Sequence, residues 1–66
     1  DMLNAQADAY ADLAEVLALG GSSEGAAEAL EQALARYERK ENIVMAERVR
    51  ARLTGLRSSF VSAKRA

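Results

Sequence analysis

Apolar residues recur along most of this chain at spacings of three and four. Between residues 3 and 19 they fall at Leu3, Ala7, Tyr10, Leu13, Ala14 and Leu17, the pattern of an amphipathic helix with one stripe turned inward. A second series, Ala26, Leu30, Ala33, Leu34 and Tyr37, predicts a helix over 23–40. A third, Met45 or Ala46, Val49, Leu53, Leu56 and Phe60, predicts a helix over 43–57 followed by a frayed tail at 58–66. At 100° per residue this last stripe spans about a third of the helix circumference. Arg48 and Arg52 flank one border and Arg50 and Arg57 the other, where long stems cover apolar surface while the charged heads stay wet. β-branched residues are few and never alternate with polar ones, so no strand competes.

The breaks agree with this division. Proline is absent, and the strong interruption is Gly20-Gly21-Ser22-Ser23, with a softer one at Glu41-Asn42. Gly20 is expected to end the first helix in the left-handed conformation. Ser22 or Ser23 is expected to cap the second, and Asn42 the third. Glu24 and Glu28 complement the positive end of the second helix, and Arg36, Arg39 and Lys40 its negative end. Short links favour antiparallel neighbours, so the first two helices should form a hairpin with the third packed against the second. Alanine at Ala7, Ala14, Ala26 and Ala33 permits close approach. The expected class is all-α, a single unit over residues 1–66.

Composition narrows the function. The 66 residues include no His, Cys, Trp or Pro, which removes disulfides, Cys/His metal cages and most catalytic constellations. A serine nucleophile would lack a base, and the Gly20–Ser23 turn lacks the lysine of a phosphate-binding loop. No catalytic residue, cofactor or metal is therefore expected. No stretch reaches the roughly 20 consecutive apolar residues of a membrane span, and the N-terminus has no signal-peptide pattern; the expected compartment is the cytoplasm. A chain this short builds a thin core by itself, since it buries only roughly 60% of its unfolded surface. That favours a repeat belonging to a longer array, or a homo-oligomer.

Charge is polarised. Residues 1–21 sum to −4, residues 22–41 to −2 and residues 42–66 to +5, giving −1 overall. Asp8, Asp12 and Glu15 form an acidic stripe on the first helix, and Arg48, Arg50, Arg52, Arg57, Lys64 and Arg65 make the end of the chain basic. The basic set could meet phosphates. Nucleic acid is nonetheless disfavoured as a partner, because no recognition motif is present, Phe60 is the one aromatic nearby and the rest of the chain is acidic. Pairing of these arginines with acidic helices fits the pattern better.

Residues 7–40 resemble one tetratricopeptide repeat, a helix–turn–helix module of about 34 residues. Tyr10 falls where that family prefers a large aromatic, Leu13 and Ala14 match its Leu-Gly/Ala pair, and Gly21 matches its turn glycine. Ala26 and Ala33 match the small positions of the second helix, with the bulky Leu30 between them. Leu17 departs from the usual Tyr, and Glu38 stands where a closing Pro is usual. Residues 36–53 resemble the end of repeat arrays in large bacterial regulatory proteins, where an R-Y-E-R-K-x-N phrase precedes an Arg-rich closing helix. The resemblance implies a protein-binding groove along the first helix at Asp8, Ala11, Asp12, Glu15 and Ala18. Asp12 and Glu15 would repel a carboxylate, so a groove ligand should be basic or apolar. The Arg-rich third helix of a neighbouring molecule is one candidate. The implied role is protein–protein interaction or self-assembly, with Tyr10, Leu13, Leu17, Leu30, Leu34, Tyr37, Val49, Leu53, Leu56 and Phe60 as packing residues. The alternatives are a nucleic-acid-binding basic helix over Arg48–Arg57 and a passive helical cap of a larger regulatory protein.

Overall fold

A computed structural model describes the backbone of residues 2–65 and the side-chain surroundings of residues 2–58. Three helices account for it: α1 (Met2–Leu19), α2 (Ser23–Arg39) and α3 (Ile43–Arg65). No strand occurs among the described residues, and the fold is all-α. α1 and α2 form an antiparallel hairpin, α3 turns back against α2, and α2 packs against both neighbours. α1 and α3 approach each other where the Asn42 side-chain amide donates to Asn4 Oδ1 at 3.3 Å. The Cα envelope measures 43 × 20 × 12 Å, so the helices lie side by side in a layer little thicker than one helix.

The core follows the sequence stripes. Ala7 and Ala14 of α1, Ala26, Ala29, Leu30, Ala33 and Tyr37 of α2, and Ala46, Val49 and Leu53 of α3 are buried. Tyr10, Leu17, Leu34, Met45 and Leu56 pack partly buried around them. The fully buried side chains that α1 contributes are alanines, with Tyr10 and Leu17 partly buried beside them, whereas α3 contributes the larger Val49 and Leu53 together with Ala46.

Both turns close with the same backbone pattern. After α1, Ser22 N–H donates to the Leu17 carbonyl at 2.8 Å and Gly21 N–H to the Ala18 carbonyl at 3.1 Å. After α2, Asn42 N–H donates to Tyr37 at 2.9 Å and Glu41 N–H to Glu38 at 3.0 Å. These are paired six-to-one and five-to-two closures around one left-handed residue, which satisfy the last helical carbonyls. That residue is Gly21, with φ +89°, in the first turn and Glu41, with φ 56°, in the second.

Several expectations are corrected here. The left-handed position is Gly21 and not Gly20, because α1 keeps its helical bonding one residue further, Gly20 N–H donating to Val16 at 3.0 Å. Ser22 occupies the N-cap of α2 but its hydroxyl makes no capping bond. That oxygen lies against Gly25, 2.7 Å from where a Cβ would stand, in space open only because Gly25 has none. Asn42 does cap α3, its Oδ1 accepting from Met45 N–H at 3.4 Å. α3 continues to Arg65 instead of fraying after residue 57, since residues 58–65 hold neither Gly nor Pro and Lys64 and Arg65 suit the negative helix end. The side chains of Phe60, Lys64 and Arg65 lie outside the described residues.

Candidate interaction surface

The five proposed groove positions lie on one side of α1. Asp8, Asp12, Glu15 and Ala18 are exposed, and Ala11 is half-buried. Asp8 is engaged across the hairpin, accepting a hydrogen bond from the Tyr37 hydroxyl. Burial of the Tyr37 ring, that bond to Asp8, and the charges of Asp8 and Asp12 push the Tyr37 hydroxyl up from 10.0 to about 12. Each cause opposes formation of a phenolate. Tyr37 also supplies the carbonyl that closes the second turn, so one residue ties α1, α2 and the start of α3 together.

On the opposite border of α1, the guanidinium of Arg36 stacks 4.6 Å from the centroid of the Tyr10 ring. It is held there by Gln32, through its carbonyl at 3.0 Å and Oε1 at 2.8 Å, and by Gln6 Oε1 at 3.3 Å. Such a stack contributes roughly 0.5–1 kcal/mol at an exposed site. Tyr10 is therefore a rim residue, and Tyr37 a core residue with a polar tip.

The basic flank divides into two pairs. Arg50 is ion-paired with Glu38, and Arg57 with Glu31 at 3.0 Å, both reaching back to α2. These pairs are half-exposed and contribute roughly 0–1 kcal/mol each. Arg48 and Arg52 are exposed and make no ion pair among the described residues; the Arg48 guanidinium donates to the Met45 sulfur at 4.0 Å. Asp12 and Glu15 likewise have no ion-pair partner among the described residues. Among the described residues, ion pairs thus join α2 and α3 at Arg50–Glu38 and Arg57–Glu31, while Asp12 and Glu15 on α1 and Arg48 and Arg52 on α3 form none.

Periodicity did not single out the outer side of α1. Met2, Ala5, Ala9, Leu13 and Val16, spaced three, four, four and three, are all exposed, Leu13 to 46% and Val16 to 65%. α1 therefore carries two apolar faces, one packed on α2 and one open. Alanines at 5, 7, 9, 11, 14 and 18 fit either face, which is why the inner stripe alone stood out. Leu13, expected to pack inward, sits at the border between them. Among the described residues no cluster of His, Cys, Asp or Glu is arranged to hold a metal ion, and no helix is long and apolar enough to cross a membrane. No protein-family model, curated protein or solved structure matches this chain.

Proposed function

We propose that this chain is a non-catalytic protein–protein interaction or self-assembly module of tetratricopeptide-like type, serving a larger bacterial regulatory protein in the cytoplasm. The supporting observation is the second apolar face of α1, where Leu13 and Val16 stand in solvent on a helix whose other side is already packed. A monomeric protein gains nothing from such a face, whereas a partner that covers it removes apolar surface from water. The tetratricopeptide-like reading is supported by Ala14, Ala26 and Ala33, each 0% exposed at the positions where that module uses small residues, with Leu30 buried between them. Molar mass by sedimentation equilibrium over a wide concentration range tests the reading. A mass that rises above 7.1 kDa while helicity is retained is the expected result. A well-folded monomer at every concentration would overturn self-assembly.

A further inference from the structure

α1 and α3 are the outer helices of the layer, and their outward faces complement each other. On α1, the exposed series Met2, Ala5, Ala9, Leu13 and Val16 is bulky and apolar at its C-terminal half, with acidic Asp12 beside it and Glu15 one step further round. On α3, the exposed series Val44, Arg48, Ala51 and Gly55, spaced four, three and four, is small in its C-terminal half, with Arg52 along one border and the exposed Glu47 along the other. At 100° per residue Val44, Arg48, Ala51, Arg52 and Gly55 share an arc of about 100°, away from the buried Ala46, Val49 and Leu53. Nothing inside the molecule requires Gly55, because a Cβ there would meet no atom within 4 Å. A glycine at mid-helix weakens the helix, and its usual use is to let another backbone come close.

From these faces we infer that copies of this chain stack head to tail, the outer face of α1 of one copy seated on the outer face of α3 of the next. This rests on the self-assembly reading above and specifies its geometry. Leu13 and Val16 are the projecting residues, and Ala51 and Gly55 form the depression that receives them. Asp12 and Glu15 on one copy face Arg48 and Arg52 on the other, four charges that have no ion-pair partner among the described residues of a single molecule. Two-fold pairing is disfavoured by the same charges. α1 against α1 sets acid against acid and bulk against bulk, and α3 against α3 sets base against base. A contact between two different faces does not close on itself at the dimer, so assembly continues into a ring or an open filament.

The test uses two variants that block one face each. Val16→Lys puts a cation on α1 four residues after Asp12, a favourable helical spacing. Ala51→Arg/Gly55→Arg fills the depression on α3 and replaces a poor helix former with a good one. The introduced charges are all positive and would meet where the projecting residue of α1 faces the depression of α3, so the two blocked faces do not pair with each other. Circular dichroism should show each variant as helical as the parent chain. Sedimentation should show the parent growing beyond a dimer, each variant alone holding at 7.1 kDa, and an equimolar mixture forming a one-to-one complex through the two intact faces. Self-association of Ala51→Arg/Gly55→Arg alone, or no complex in the mixture while the parent still associates, overturns head-to-tail stacking and leaves self-assembly standing. A parent that stays monomeric overturns both. Should Ala51→Arg/Gly55→Arg lose helicity, Arg48→Glu/Arg52→Glu replaces it, a charge-only change at exposed positions. Its association should fall at least tenfold and recover on mixing with Asp12→Lys/Glu15→Lys, and no recovery overturns the assignment of these charges to the interface.

Discussion

The two hairpins share α2 and close with the same pair of backbone hydrogen bonds, yet they are built from different materials. Their turns repeat at an interval of 20 residues, Leu17 with Tyr37, Gly21 with Glu41 and Ser22 with Asn42. In the first, glycine takes the left-handed position, the cap side chain is idle, and alanines bring α1 and α2 together. In the second, a glutamate takes the same position, the cap bonds to Met45 N–H, and Val49 and Leu53 fill the contact while two arginines tie α3 to α2. The backbone closure alone therefore does not dictate how a hairpin is held. One is fixed by how little its side chains occupy, the other by how much.

This contrast can be broken in each half. Leu53→Ala should have the largest effect, about 2–4 kcal/mol, by opening a cavity between α2 and α3. Ala14→Leu should cost about 1–3 kcal/mol for the opposite reason, forcing α1 away from α2. Denaturant titration of both variants checks the pair. Tolerance of both substitutions without measurable loss would contradict the assignment of small residues to one hairpin and large residues to the other.

Alkaline pH singles out the first hairpin. Tyr37 is protonated in its bond to Asp8, and its hydroxyl is held near 12 against an ordinary 10.0. A raised folded-state value means that this contribution is fully present below pH 10 and is lost as pH climbs toward 12. A shift of that size corresponds to at most about 2–3 kcal/mol. Tyr37→Phe should cost about 1 kcal/mol at neutral pH, for the lost hydrogen bond, and should remove the part of the alkaline loss that belongs to this hydroxyl. Spectroscopic titration of the tyrosines, with stability followed in parallel, measures both.

The turns provide a smaller and more symmetrical comparison. Glu41→Gly should stabilise by about 0.5–1 kcal/mol, because glycine adopts a positive φ without the Cβ penalty that glutamate bears. Gly21→Ala should destabilise by about 1 kcal/mol through the reverse exchange. Thermal melts in which the two substitutions shift the midpoint in the same direction would contradict equivalent turn geometry. Smallest of all is Glu38→Gln, which removes the exposed pair with Arg50. Its cost should be at most about 1 kcal/mol and should fade as salt is raised.

Much of this architecture is legible in the sequence, and the rest fails for definite reasons. Ala26, Leu30, Ala33, Tyr37, Val49 and Leu53 announce themselves by spacing, and all are buried. The helical breaks are equally plain, but not the residue that turns left-handed in each. Two adjacent glycines permit the same conformation, and glutamate carries no signal for it. The idle Ser22 hydroxyl depends on the missing Cβ three residues later, a contact that periodicity does not encode. Asp8, read from sequence as part of a ligand groove, is bonded to a tyrosine 29 positions away. The outer face of α1 was masked by alanine, which fits a packed surface and an open one alike.

Because α2 is the one helix with two packed neighbours, the layer has an order in which it can come apart. Either outer helix can peel away while the remaining pair keeps its hairpin, so opening is a local event at the edges before it is a global one. Backbone amides of α2 are then the last to exchange with solvent, and those of α1 and α3 exchange at rates set by their separate contacts. Stacking copies would turn two edges into interiors and slow exchange in the outer helices most. The length of the assembly, more than the strength of any single contact, would then govern how long each chain stays closed.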